Sequence, residues 1–224
     1  MLELTLQYFG GRGSGSGGES LSNGLVSSIN IKSTTDVWSV RHNPNNEPFV
    51  DAINEGVRRV SEDFPGVMND VQSVDAAELV GSDKGNVLGY YGDGVVALND
   101  NFTNIDKMNT VYDNAVKKNY HPSRGDKSGT EAVTYHEMGH ALTDSIAKKA
   151  GFKDLDKASK KIVDDAYKAS KGRGGTKAWA GKISGYAKES YAECVAEAVS
   201  DWYCNGNKAN SNSKAIMKEL RKYI

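Results

Sequence analysis

Apolar residues recur at three- and four-residue intervals along much of the chain from residue 48 onward, the spacing of one helical face. Phe49, Ile53, Val57 and Val60 mark a helix over Pro48–Phe64, with Pro48 suited to its first turn and Pro65-Gly66 as its stop. Met108, Val111, Tyr112 and Ala115 mark a second over Asp106–Lys118. Val133, Leu142 and Ile146 mark a third from Thr130, a candidate N-cap, to Ala150, with Gly151 as the stop. Leu155, Ala158, Ile162 and Ala166 give a fourth over Leu155–Ser170, and further helices are predicted over Lys188–Tyr203 and Ser213–Tyr223. Between the first two helices the period shortens. Val71–Ala76, Val87–Tyr91 and Val95–Leu98 read as short strands, and Tyr91-Gly92-Asp93-Gly94-Val95 reads as a hairpin turn. Strands ahead of long helices, without βαβ alternation, argue an α+β fold.

The amino-terminal part follows another rule. Leu2–Phe9 alternates apolar and polar residues, as a short strand or docking arm would, and Leu25–Ile31 is a further strand candidate. Between them, Gly10 to Gly18 is glycine and serine apart from Arg12, the composition of a flexible linker. Its glycines lack the Lys-Ser/Thr and flanking βαβ pattern of a phosphate loop. The expected organisation is a flexible arm over 1–44 and one domain over 45–224.

Charge and composition narrow the function classes. A net charge of −1 provides no global field for nucleic acid or anionic lipid. No apolar run approaches the roughly 18 residues of a membrane span, and the start, with Glu3 and no basic segment, does not read as a signal peptide. The two cysteines, Cys194 and Cys204, would stand ~15 Å apart along one helix, too far to bridge, so free thiols in a reducing compartment are expected. The basic residues of Lys171-Gly172-Arg173-Gly174-Gly175 read as a solvated loop.

One stretch carries chemistry. His136-Glu137-Met138-Gly139-His140 contains His-Glu-x-x-His in the third helix. On a helix the two histidines stand one above the other, roughly 6 Å apart along the axis, and can share one metal ion. Zinc suits such ligands and brings a bound water to a pKa of about 7. Glu137 is then the natural base. The chain has only four histidines, so chance is a weak account of the pattern. His121, in a loop before Pro122, could be a further ligand but reads first as an exposed side chain. Two histidines leave a catalytic zinc one protein ligand short. Glu189, Glu193 and Glu197 repeat every four residues, which would put all three on one face of the Lys188–Tyr203 helix, either as its solvated side or as the missing ligand. In the second case Glu193 ligates, and Glu197 orients a histidine from behind. Asp144, one turn beyond His140, supports a neighbouring group instead of ligating.

His136-Glu137-Met138-Gly139-His140, then Tyr186, then Ala192-Glu193-Cys194-Val195-Ala196-Glu197-Ala198 resembles the catalytic domain of the anthrax-lethal-factor-like, gluzincin-type zincin metallopeptidases. The resemblance covers about residues 129–203. It implies a zincin-like fold, with a small sheet before the motif helix and further helices after it. It also implies zinc on His136, His140 and Glu193, Glu137 as general base, and Tyr186 as the donor to the tetrahedral oxyanion. The chain departs from the family at Thr143, where an Asp is frequent, and at Cys194 and Val195, where bulky aromatics follow the ligand Glu. Leu4 to Gly13 is similar to the amino-terminal arm of head-associated proteins of phages of Gram-positive bacteria, and Tyr90 to Asn99 to the cleft-lining edge strand of phage zincin domains.

These resemblances imply a phage-encoded zinc endopeptidase acting on a protein or peptide, cytoplasmic in the host or carried in the virion. Phage head proteins are a further partner through the arm; nucleic acid and membrane are not expected. Two other classes compete: a virion or assembly protein whose zincin domain binds metal without cutting, and a toxin-like effector protease.

Overall fold

The computed structural model describes residues 25–27, 46–77, 79 and 87–224. The arm, the Gly/Ser linker and the rest of the Leu25–Ile31 candidate lie outside the described residues. Within them the chain runs β1 (Leu25–Ser27), α1 (Glu47–Asp63), β2 (Ser73–Ala77), β3 (Gly89–Gly92), β4 (Val95–Asn99), α2 (Ile105–Lys117), α3 (Gly129–Ala150), α4 (Leu155–Ala169), α5 (Thr176–Ala180), α6 (Tyr191–Asn205) and α7 (Ser211–Leu220). The fold is α+β and mostly helical.

The sheet has the order β1-β2-β4-β3. β2 and β4 run parallel, in register Ser73↔Val95 to Ala77↔Asn99. β3 and β4 form the expected hairpin, with Tyr91 opposite Val96. Its two-residue turn needs left-handed backbone at both positions, which Asp93 (φ 50°) and Gly94 (φ 79°) supply. β3 is left at one end of the sheet, and α3 packs against both β3 and β4.

α3 is the axis of the molecule. It touches α1, α2, α4 and α6 as well as the sheet, and its residues are buried on nearly all sides from Gly129 to Ala147. Such a helix has no polar face to display its register, so the stripe of Val133, Leu142 and Ile146 is only part of what it buries. Its cap also differs from expectation. Ser128, not Thr130, is the N-cap: its hydroxyl accepts from Glu131 N–H while the Glu131 carboxylate accepts from Ser128 N–H. This reciprocal box satisfies both ends of the turn. At the other end Gly151 takes the left-handed conformation (φ 72°) that stops the helix.

The predicted Lys188–Tyr203 helix is two pieces. A 3₁₀ turn over Tyr186–Lys188 precedes α6, which starts afresh at Tyr191 because the Ser190 side chain caps it through Glu193 N–H. Glu189 therefore sits outside α6 and is exposed, whereas Glu193 and Glu197 are buried. The short α5 follows the glycine break and was not signalled by periodicity, since five residues hold too little of a 3.6-residue repeat.

Candidate metal centre

α3 and α6 meet at small residues. A Cβ on Gly139 would stand 2.9 Å from the Ala196 Cα and 3.2 Å from the Val199 Cβ. Only a glycine in the middle of the motif lets the two backbones approach this closely. The approach carries Glu193 and Glu197 of α6 up against His136 and His140 of α3.

Three atoms converge there. His136 Nε2 is 3.2 Å from His140 Nε2 and 3.0 Å from Glu193 Oε2, and His140 Nε2 is 3.4 Å from Glu193 Oε2. His136 and Glu193 are buried and His140 is partly open. These three residues could hold a metal ion. The ligand predicted beyond the motif is brought to it from 57 positions away in sequence.

Behind His136 lies Glu197. Its Oε1 stands 2.9 Å from His136 Nδ1 and 3.0 Å from His121 Nδ1, and its Oε2 accepts from Ser184 Oγ at 2.6 Å. A carboxylate can only accept, so each Nδ1 carries the hydrogen and His136 presents Nε2 to the site. Glu197 thus stands behind His136, on the nitrogen turned away from the cluster. His121 corrects the sequence reading: it is 2% exposed, not a solvated loop residue. Nothing in the pattern around it foretold this, because its partner is 76 positions away. The chain is steered there by the end of α2, where Asn119 adopts left-handed backbone (φ 56°) and Tyr120 N–H returns to Ala115 O.

The electrostatics follow from burial. Burial by itself lowers the His136 imidazole, but its bonds to Glu193 and Glu197 override this and hold it up at about 10. Burial would raise both carboxylates. For Glu193 the charge of His140 and bonds from His136 and His140 outweigh it and push it well below the carboxylate range. For Glu197 the charge and hydrogen bond of His121, with His136, bring it down to about 2. Glu137 goes the other way. Burial pushes it up to about 7, only partly offset by His136 and His140. Its Oε1 is buried with no hydrogen-bond partner. It lies against the edge strand, where a Cβ on Gly89 would fall 2.6 Å from that oxygen.

Tyr186 is buried, with its ring stacked 6.0 Å from that of His136, and burial raises its phenol well above the usual value. It borders a cavity of ≈ 760 Å³ that also reaches His140, Glu193 and Tyr91. Leu155, Val163 and Cys194 form apolar wall, and Lys177, Lys188 and Glu189 bring charge to the lining. Asp144 stands outside the cluster. It accepts from Tyr91 Oη at 2.8 Å and pairs with Lys148 at 3.1 Å, so it ties the edge strand to α3. Both cysteines are free and buried; burial pushes the Cys194 thiol up to about 12. No helix among the described residues is long and apolar enough to cross a membrane. Compared with family models, with curated proteins and with solved structures, the chain finds no match in any of the three.

Proposed function

We propose that this chain is a zinc-dependent peptidase of zincin type, with His136, His140 and Glu193 as ligands and Glu137 as general base. The observation that carries the reading is the triangle of two Nε2 atoms and one carboxylate oxygen, with sides of 3.0, 3.2 and 3.4 Å. Tetrahedral zinc bound at about 2.0–2.1 Å requires ligand atoms about 3.3 Å apart. The donor chemistry agrees. Three buried carboxylates, Glu137, Glu193 and Glu197, crowd one site, and a dication offsets charge that would otherwise be costly to bury. His136 has its second nitrogen on a carboxylate, the arrangement that orients zinc-bound imidazoles. Two histidines and one carboxylate leave a fourth position for water or substrate.

Zinc bound there would polarise a peptide carbonyl and acidify water. The protein's own groups do the rest. Glu137, next in sequence to His136 and buried against the edge strand, takes a proton from water and passes it to the departing amine. Tyr186, kept protonated at the edge of the cavity, is a donor for the carbonyl oxygen as it gains charge. Glu197 and Ser184 keep His136 turned toward the site. The cavity admits a substrate segment next to the ligands.

The test pairs two variants in elemental mass spectrometry and a peptide-library cleavage assay. Wild type should carry about one zinc and Glu193→Ala far less, while Glu137→Gln should keep the metal and lose cleavage by at least about 100-fold. Full cleavage by Glu137→Gln would remove Glu137 as the base. Zinc in wild type with no cleavage of any peptide would leave a metal-binding domain that does not cut.

A further inference from the structure

The metal reading uses His136, His140 and Glu193, and Glu197 behind them. It leaves His121, the remaining buried histidine among the described residues, without a task. Its position is over-determined. The ring is stacked on Tyr112 with centroids 5.3 Å apart, and it meets Tyr120 and Tyr186 edge-on at 5.0 and 5.7 Å. The backbone that carries it is laced to the Tyr186 segment, with Gly185 N–H on Asn119 O at 2.7 Å and Tyr186 N–H on Tyr120 O at 3.0 Å. A ring held on these sides has one direction left for Nδ1, and that direction is Glu197 Oε1 at 3.0 Å, the same oxygen that takes His136 Nδ1 at 2.9 Å.

We infer that His121 is a positioning residue for the metal centre: by sharing Glu197 Oε1 with His136, it fixes that oxygen where His136 must turn Nε2 toward the ligand cluster. Ser184 holds the other oxygen, at 2.6 Å. A carboxylate gripped at one oxygen can still swing about that contact; gripped at both, with one oxygen anchored by an immobile ring, it cannot. The order of support then runs from a loop after α2, through one carboxylate of α6, to a ligand on α3. The inference rests on the metal site proposed above, but the hydrogen-bond geometry that carries it stands without metal.

The experiment compares wild type, His121→Phe and His121→Asn as full chains. Phenylalanine keeps the ring among its aromatic neighbours and lacks the donor. Asparagine sets an amide nitrogen close to where Nδ1 was. Zinc affinity is measured by competition with a chromophoric chelator, and the downfield imidazole N–H protons are followed by NMR in the metal-free proteins. The loss of a partner behind a metal-bound histidine typically costs 10- to 100-fold in affinity; His121 acts one residue further back, so about tenfold weaker zinc binding is expected for His121→Phe. His121→Asn should return to near the wild-type value. In the metal-free state the His136 Nδ1 proton should exchange with water faster in His121→Phe than in wild type or His121→Asn.

A residue that only filled space would give a folded His121→Phe with unchanged zinc affinity and unchanged exchange, and that result overturns the inference. So does a His121→Asn variant as weak as His121→Phe. Should His121→Phe fail to fold, His121→Gln replaces it: its amide nitrogen corresponds to Nε2 and does not reach Glu197, so the same loss is expected and its absence overturns the inference. If wild type takes up no zinc while exchange still responds to His121, the metal reading fails and the positioning role stands.

Discussion

Glu137 shows at the scale of one residue how burial sets chemistry. Its folded value of about 7 stands above the roughly 4.3 of an unfolded glutamate, so the folded metal-free protein holds this proton more tightly than the unfolded chain. That contribution to stability is fully present below about pH 4 and is lost as the pH rises through about 7. Glu137→Gln removes the group that resists being charged. The metal-free variant should exceed wild type in stability at pH 8, by on the order of 3 kcal/mol, and match it near pH 4. Denaturant titrations at the two pH values measure this; equal stability at pH 8 would contradict the burial argument. Gly89 acts on the same side chain from outside. Because a Cβ there would fall 2.6 Å from Glu137 Oε1 and 2.7 Å from Val133 Cγ1, Gly89→Ala must displace the carboxylate or the strand. A misplacement of about 1 Å costs roughly 100-fold in rate, so under the proposed function the variant should lose most peptide hydrolysis yet retain its metal. Loss of metal and activity together would mean that the whole site had moved.

At the scale of elements, the site is a crossing of two helices. Each is legible by itself: the motif marks α3, and the Glu-Cys-Val-Ala-Glu segment marks α6. Their closeness depends on Gly139 facing Ala196 and Val199. Gly139→Val would drive a branched side chain into the Ala196 backbone and push the helices apart, since packed interiors have no slack for three added carbons. Its helix content should survive while zinc stoichiometry falls, which circular dichroism and elemental analysis on one sample would read. Stoichiometric zinc in that variant would show that the crossing tolerates separation. α6 starts at Tyr191, later than the predicted Lys188, for a local reason. Ser190 is a strong cap, and a cap ends whatever precedes it, so the 3₁₀ turn of Tyr186–Lys188 and the helix cannot be one element. Glu189 fell on the wrong side of that boundary.

At the scale of the whole molecule, the candidate metal centre joins α3, α6 and, through His121, the loop after α2, so occupancy of the site should be felt globally. A ligand bound only by the native state stabilises it by about 2.7 kcal/mol at 100 times its dissociation constant. For a domain of this size each kcal/mol moves the melting temperature by about 2–4 °C. Zinc should therefore raise Tm by about 5–11 °C, with a chelator reversing the gain and Glu193→Ala showing none. A metal-independent Tm would argue that the ligand cluster is not a binding site.

Local features are legible in the order of residues alone. Helical periodicity and stops placed α1, α2 and α4 to within a residue or two, the Asp93-Gly94 turn placed the hairpin, and His-Glu-x-x-His put two imidazoles on one face of one helix. These are short-range: they depend on backbone geometry and on neighbours a few positions away. The approach of Glu193 to His136, the burial of His121 against Glu197, the stacking of Tyr186 on His136 and the engagement of Asp144 by Tyr91 were decided only by the tertiary structure. Each joins groups far apart in the chain, and each depends on how closely two surfaces approach. Periodicity carries no record of that distance. The nearest approach turns on whether one glycine meets one alanine across a helix crossing.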